Sequence, residues 1–211
     1  AIAADEVYKP ASTIKLAIGF EILYYLEHNS NIRLTDEVPG TKQSFDQLLR
    51  DMLIISSEDA TSALSNFLSI QTDIDTEALL DSWEANQTTL QPWLSSPADL
   101  AGLLEKLYFG QILSYDDTKK MFSILHTDSP DDMIRIGKGL AADKNICMAH
   151  KIGQDFLSDG NAIGDVALVE TPDTAYLIAV IANKVPQKNF KEAEQLITMI
   201  SQLTYEFFTG Q

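Results

Sequence analysis

The amino-acid sequence predicts an α+β fold, in which an all-helical stretch is inserted into a portion built around an antiparallel sheet. Three observations predict it. A nearly unbroken apolar run over residues 12–27 is typical of a helix buried in the middle of a domain. Helix start signals recur through the middle of the chain, and short runs rich in Val, Ile, Leu and Tyr follow after residue 145. The first and last helices are then available to cover the sheet.

Serine-based start signals place the helices of the middle stretch. Ser44 and Gln47 form a capping box, because their side chains can satisfy each other's free backbone donors, and that helix runs to about residue 55. The polar segment SSED at 56–59 favours a turn, after which a helix is predicted over 60–68. Serine at 96 and proline at 97 begin another helix. The other helices of this stretch are predicted over about 75–84, 97–109 and 114–125.

Three strands and a final helix are predicted in the last third of the chain. The strands cover 146–152, 165–170 and 175–182, and the turn residues at 171–173 join the last two as an antiparallel hairpin. Apolar residues at helical spacing over about 190–208 predict the final helix. Residues 1–8 are interpreted as the end of a further strand.

The charge of the chain disfavours two classes of partner. The formal net charge is -16 and the calculated isoelectric point is about 4.4. Such a surface repels phosphate backbones and anionic lipid, so neither nucleic acid nor a membrane surface is expected as a partner. A soluble, self-repelling surface is the simpler explanation of this charge, and an acidic interaction patch is the alternative.

The single cysteine, Cys147, excludes an internal disulfide and any zinc site built on cysteine pairs. Its apolar neighbours Ile146 and Met148 predict a buried strand position for it. No apolar run reaches the ~20 residues that a membrane-spanning helix needs, so no transmembrane segment is expected in this chain. The chain begins with neither methionine nor a signal-peptide pattern, and we expect a mature or trimmed form.

Ser12 and Lys15, in the segment KPASTIKLAI, are the first residues of chemical interest. A Ser-x-x-Lys pair is expected about once by chance in a chain of this composition, and Ser12 can simply cap the helix while Lys15 extends its amine to solvent. The alternative is a nucleophile and its base. The two side chains share one helix face, and an apolar setting lowers the pKa of an amine until it can act as a base near neutral pH.

Two further segments have the same ambiguity. The segment IISSEDAT at 54–61 lies between two predicted helices, and by itself a polar turn explains it. The segment HKIG at 150–153 ends a predicted strand, and by itself an edge strand explains its lysine and glycine.

Together, in this order and on these elements, the three segments resemble the motifs of the penicillin-recognising serine hydrolases, the class A β-lactamases and their D,D-peptidase relatives. That family has Ser-x-x-Lys at a helix start, Ser-x-Asn between helices and Lys-Thr-Gly on a strand. The stretches DEVYKPASTIKL, SSPADLAGLLEKLYFGQIL, AHKIG, GDVALVE and AYLIAVIAN are also similar to those of the family. The resemblance covers nearly the whole chain.

The resemblance implies a β-lactamase/transpeptidase-like fold and a single domain over 1–211. Residues 1–28 and 140–211 are expected to form the sheet-associated portion, and residues 29–139 the all-helical portion. The family's sheet has strands before the nucleophile helix, so either upstream sequence or a neighbouring chain is expected at the sheet edge. An extracytoplasmic location (secreted, periplasmic or at the cell surface) is implied by the resemblance alone.

The resemblance also implies roles for individual residues. Ser12 is the expected acyl-forming nucleophile and Lys15 its proton acceptor. Ser56 is the expected motif serine, which relays a proton to the leaving nitrogen. Ser57 is the competing register of the same motif. Lys151 is expected to supply positive charge toward the substrate carboxylate and toward this proton relay.

The strand that carries the third motif is expected to complete the site. Gly153 occupies the glycine position of the Lys-Thr-Gly motif, and the resemblance implies that the backbone N–H groups of Ser12 and Gln154 form the oxyanion hole. No metal or other cofactor is implied, because an amine base and backbone donors suffice. The expected substrate is a small molecule or peptide, namely a β-lactam or a peptidoglycan peptide.

Three departures from the family pattern bear on activity. Glu58 replaces the asparagine of Ser-x-Asn, and an acceptor-only carboxylate repels anionic substrates unless it pairs with Lys15 or Lys151. Ile152 lacks the hydroxyl that helps hold a substrate carboxylate. The family's Glu-x-x-x-Asn, which activates the deacylating water, is missing, and Glu84 is the substitute that the sequence offers. The expected function is an acyl-enzyme-forming serine hydrolase, and the alternative is a non-hydrolytic binding protein or sensor of the same fold.

Overall fold

The structure is a computed structural model that describes residues 1–126, 134–140 and 145–210. A 3-10 turn over Ala11–Ile14 precedes eight helices in the described residues. These are α1 Lys15–Glu27, α2 Phe45–Leu53, α3 Glu58–Gln71, α4 Thr76–Ser82, α5 Pro97–Tyr108, α6 Tyr115–Leu125, α7 Ile136–Gly139 and α8 Phe190–Thr209. The strands are β1 Thr89–Leu90, β2 Trp93–Leu94, β3 Cys147–Asp155, β4 Asn161–Glu170 and β5 Ala175–Val185.

The helix starts follow from local side-chain chemistry. The predicted capping box is present, since the Gln47 backbone N–H donates to Ser44 Oγ and the Ser44 backbone N–H donates to Gln47 Oε1, both at 3.2 Å. Helix α3 begins two residues before its predicted start. The reason is that Ser57 caps it, with Oγ accepting from the Ala60 backbone N–H at 3.2 Å.

The three long strands form an antiparallel sheet in the order β3-β4-β5, as predicted. Side chains alternate between its two faces. On one face Ala149 and Val166 pack into the core that contains α1. On the other face Ile163 and Ile178 pack with Ile197 of α8. The predicted fold class is therefore confirmed, because helices cover both faces of an antiparallel sheet.

The middle portion differs from the prediction in two respects. It is not all helical, because β1 and β2 pair as a short antiparallel ribbon. Strands of two residues are too short to give a periodic signal in the sequence. In addition, α7 packs against α8, and its Ile136 belongs to the core between the sheet and α8. The one-turn helix α7 thus lies with the sheet-associated portion, although its residues fall within the predicted helical portion.

The prediction of a buried Cys147 is wrong, because the side chain is exposed. Cys147 is the first residue of β3, and alternation along the strand sends Met148, not Cys147, into the core. Its Sγ lies 3.3 Å from His126 Nδ1. Residues 1–8 also form no strand of the sheet. Tyr8 instead pairs with Ser95 through two backbone hydrogen bonds, from Tyr8 N at 2.8 Å and from Ser95 N at 3.1 Å.

Across the described ranges, none of the helices is long and apolar enough to cross a membrane.

Candidate active site

Ser12 lies in the 3-10 turn that leads into α1. The residue before it, Ala11, has φ of 50°, a left-handed conformation that is unfavourable for a residue with a Cβ atom. The turn is held by Thr13, whose backbone N–H and Oγ1 both donate to the Pro10 carbonyl, at 3.3 Å and 2.6 Å. Strained backbone of this kind persists where the surroundings enforce it, and it concentrates at functional sites.

Gly153 brings strand β3 into direct contact with this turn. A Cβ atom at Gly153 would lie 2.8 Å from Thr13 N and 2.9 Å from both Pro10 O and Ser12 N. Such distances are too short for any real Cβ atom, so only glycine fits. The backbone of Ser12 therefore lies against the strand at the residue that precedes Gln154.

Lys15 is fully buried one helical turn after Ser12. Its Nζ donates to the Ser56 carbonyl at 2.9 Å and to Glu58 Oε1 at 2.6 Å. The Lys15 side chain is 0% exposed, whereas the Glu58 side chain is 68% exposed. The pair thus connects a buried ammonium group to a carboxylate that reaches solvent.

Lys151 approaches the same serine from the sheet. Its side chain is buried on β3, and its Nζ donates to Ser56 Oγ. Burial is the largest cause that lowers the pKa of Lys151 to about 7, and the nearby positive charge of Lys15 acts in the same direction. Two buried lysines, one from α1 and one from β3, therefore converge on the main chain and the side chain of Ser56.

The two serines of the α2–α3 connection have different surroundings. Ser56 has φ of 55° and contacts both lysines. Ser57 instead uses its hydroxyl to cap α3. Geometry therefore brings Ser56, and not Ser57, to the lysines.

The other sequence candidates lie apart from these contacts. Glu84 is an exposed residue whose carboxylate accepts from Lys106 Nζ at 2.6 Å, and this hydrogen bond lowers the pKa of Glu84. The strand alternation places Ile152, paired with Asp165 of β4, on the sheet face opposite to Lys151. Within the described ranges, no group of three or more His, Cys, Asp and Glu side chains is arranged to hold a metal ion.

Arg135 was not identified from the sequence, although it is buried directly behind the glycine segment of β3. Its Nη1 donates to the carbonyls of Gly153 at 2.8 Å and Gly164 at 3.0 Å. Its Nη2 donates to Gln154 Oε1 at 2.9 Å and to Glu194 Oε1 of α8 at 3.3 Å. The guanidinium group thus ties together β3, β4 and α8 at the level of Ser12. A single arginine within an apolar run carries no spacing signal that would reveal such a role.

Asp165 is the second buried charged group that the sequence did not reveal. It is 0% exposed; its Oδ2 accepts from the Ile136 backbone N–H at 3.1 Å, and its Oδ1 lies 3.0 Å from His150 Nδ1. Its position in the middle of β4 gives it no distinguishing pattern in the sequence. This carboxylate fixes α7 to the sheet and orients the imidazole next to Lys151.

A model of the Beta-lactamase enzyme family matches residues 1–208. The chain belongs to this family. No curated protein matches the sequence of this β-lactamase family member.

Solved structures agree with the assignment at the level of the fold. The structure of PBP-A has a TM-score of 0.81 at 22% identity, over 99% of this chain and 84% of that chain. A variant of PBP-A in an acyl-enzyme complex with penicillin G has the same TM-score and identity, over 100% and 85%. The β-lactamase from Sphaerobacter thermophilus has a TM-score of 0.81 at 19% identity, over 97% and 84%. The family member described here therefore has the β-lactamase/transpeptidase-like fold.

Proposed function

We propose that this protein is a serine hydrolase that forms an acyl-enzyme on Ser12. The observation that carries the proposal is the convergence of two buried lysines on Ser56 beside the turn that holds Ser12. Buried lysines are costly unless they are used or paired, and amines with perturbed pKa values concentrate at functional sites. Family membership supports the same reaction class.

In the proposed acylation, Ser12 Oγ attacks the carbonyl carbon of the substrate amide and Lys15 Nζ accepts the hydroxyl proton. The carbonyl oxygen gains the negative charge, and the backbone N–H groups of Ser12 and Gln154 stabilise it. The C–N bond then breaks. Ser56 donates its proton to the leaving nitrogen, and Lys151 Nζ returns a proton to Ser56 along the hydrogen bond that joins them.

The substrates that we propose are β-lactams or cell-wall peptides. Lys151, next to Ser56, offers a positive charge to a carboxylate on such a substrate. A variant of PBP-A, which is similar in fold, forms an acyl-enzyme complex with penicillin G. Because peptidoglycan lies outside the cytoplasmic membrane, we also propose an extracytoplasmic location.

A non-hydrolytic binding protein or sensor is the second candidate. Glu58 occupies the place of the family's asparagine and puts a carboxylate at the site. Ile152 occupies the place of the motif hydroxyl and lies on the opposite face of β3. Both features weaken the recognition of an anionic β-lactam and favour this alternative.

Intact-mass measurement after incubation with a fluorescent penicillin tests for the acyl-enzyme on Ser12, and the lifetime of the adduct distinguishes rapid turnover from a stable complex. The hydrolase is expected to gain one covalent adduct, which Ser12→Ala abolishes. Ser62→Ala, at an exposed position on α3, is the control and is expected to keep the adduct. An adduct that decays within minutes indicates a β-lactamase, and one that persists for hours indicates a peptidase or a sensor. No adduct at high reagent concentration would overturn the proposal for this substrate class.

A further inference from the structure

We propose that Glu58 is the terminal proton acceptor of the reaction cycle, receiving through Lys15 the proton that leaves Ser12 and, later, the proton that leaves the attacking water. This inference rests on the acyl-serine mechanism proposed above. The juxtaposition that carries it is the hydrogen bond of 2.6 Å between Lys15 Nζ and Glu58 Oε1.

Lys15 cannot serve as the acceptor alone while it is an ammonium group. An ammonium group has three N–H donors and no lone pair. Two of its donors are used by the Ser56 carbonyl and the Glu58 carboxylate, which leaves one for Ser12, one turn earlier on the same helix face. The contact of 2.6 Å with Glu58 Oε1 gives Lys15 a direct path along which to pass a proton on. To accept a proton from Ser12, Lys15 must therefore give one away.

Glu58 is positioned to take that proton. As Ser12 Oγ bonds to the substrate carbonyl carbon, the Ser12 proton moves to Lys15 Nζ and a different Lys15 proton moves to Glu58 Oε1. Lys15 ends as it began, and Glu58 is neutral. Because 68% of the Glu58 side chain is exposed, it can release this proton to solvent before the next step. One proton from solvent restores Lys151, which has given its own through Ser56 to the leaving nitrogen.

Deacylation follows the same route with water in place of Ser12. The water oxygen bonds to the acyl carbon, its proton passes by way of Lys15 to Glu58, and the bond from the carbonyl carbon to Ser12 Oγ breaks. Lys15 Nζ then donates a proton to Ser12 Oγ, Glu58 returns its proton to Lys15 along the hydrogen bond that joins them, and the acid product leaves. Atoms and charge balance with water as the only co-reactant.

Two other acidic residues, Glu84 and Asp165, form hydrogen bonds with groups other than Lys15. Glu84 is bound to Lys106. Asp165 is fully buried and bonds with His150 and the Ile136 backbone. In the part of the chain that the structure describes, Glu58 is thus the carboxylate in hydrogen-bond contact with a lysine of the site.

Two charged groups face Glu58 from the elements packed against it. They are Lys15 of α1, in direct contact, and Lys151 of β3, which acts on it through longer-range charge. On its own helix, Asp59 is the adjacent acidic side chain, and it is exposed. Asp59→Asn therefore makes the same charge change as Glu58→Gln at the same helix start without touching Lys15.

The test measures acylation by a fluorescent penicillin and decay of the adduct, from pH 5 to pH 9, in the wild type, Glu58→Gln, Glu58→Asp and Asp59→Asn. Glu58→Gln is expected to slow both steps by about 100-fold or more, in the range of general acid–base effects. Glu58→Asp, which keeps a carboxylate, should recover part of the rate, and Asp59→Asn should stay within about twofold of the wild type.

Glu58→Gln rates equal to or above the wild-type rates would overturn the proposal, because Glu58 would then only hinder substrate recognition. Equal losses in Glu58→Gln and Glu58→Asp would show a structural role and would also overturn it. If Glu58→Gln does not fold, Glu58→Asp decides: rates equal to or above the wild-type rates overturn the proposal, and slower rates with Asp59→Asn unchanged support it. The absence of any Ser12-dependent adduct in the wild type would instead refute the acyl-serine function itself.

Discussion

Glu21 is a buried acid in the middle of α1 without a visible compensating contact. Its side chain is 0% exposed, and within the described residues neither carboxylate oxygen has a hydrogen-bond partner. Burial raises the pKa of Glu21 from 4.5 to about 9. The folded protein therefore keeps this carboxyl group protonated at neutral pH, whereas the unfolded chain ionises it.

The sign of the effect on stability follows from proton binding. Between pH 4.5 and pH 9 the folded state holds a proton that the unfolded state has released, so the free energy of unfolding falls as the pH rises. Each pH unit in this window costs about 1.4 kcal/mol, which gives about 3 kcal/mol at pH 7. Below pH 4.5 the cost vanishes. Glu21→Met keeps the approximate side-chain size and removes the ionisable group.

Urea unfolding of the wild type and Glu21→Met at pH 5, 6, 7 and 8 tests this reasoning. Glu21→Met is expected to be the more stable at pH 7 by about 3 kcal/mol, with an advantage that grows by about 1.4 kcal/mol per pH unit. The control is Glu105→Met, at an exposed position of α5, whose difference from the wild type should not change with pH. A stability difference at position 21 that is constant from pH 5 to pH 8 would refute the assignment of a buried neutral carboxyl group.

Three further predictions concern the candidate site. Gly153→Ala should slow acylation by about 100-fold, because the added Cβ atom would push β3 away from the Ser12 turn. Gly102→Ala on α5, where a Cβ atom meets nothing within 4 Å, is the control and should leave the rate unchanged. Arg135→Met should lower the free energy of unfolding, measured in urea, by about 3 kcal/mol, because buried carbonyls and the Glu194 carboxylate lose their hydrogen-bond donor. Arg135→Lys should recover little of this loss, since lysine lacks the planar guanidinium group that donates to several acceptors at once. Acylation by a carboxylate-bearing β-lactam should fall about tenfold between pH 6 and pH 8 as Lys151 loses its proton, and Lys151→Met should remove this step.

The fold was predictable from the sequence because its determinants are local. Ser44 and Gln47 lie within one turn of each other, and their capping box specifies the start of α2 wherever the helix packs. The apolar run after Ser12 is long enough that only a buried helix accounts for it. The strands are likewise marked by composition and turn residues.

Side-chain partners across the fold were not predictable from the sequence, since they depend on which elements pack together. The choice between Ser56 and Ser57 depends on a helix cap and on a backbone with positive φ, neither of which the motif reveals. The partner of Glu58 was left open between two lysines, and the position of α1 beside α3 decides for Lys15. The contacts of Arg135 require that β3, β4 and α8 lie close together, so no spacing in the sequence could have indicated them.

Two of the three buried cations of the site are paired with carboxylates and the third, Lys151, is not. This difference indicates that an anionic group of the substrate binds next to Lys151. Lys15 is paired with Glu58, and Arg135 is paired with Glu194. Lys151 contacts a neutral hydroxyl instead, and among the described residues none places a carboxylate within ion-pair distance of its Nζ. Burial, and after it the nearby positive charge of Lys15, lowers the pKa of Lys151 to about 7. An anionic substrate group bound there would supply the missing counter-charge, so binding of such a substrate should draw a proton onto Lys151 and prepare Ser56 to protonate the leaving nitrogen.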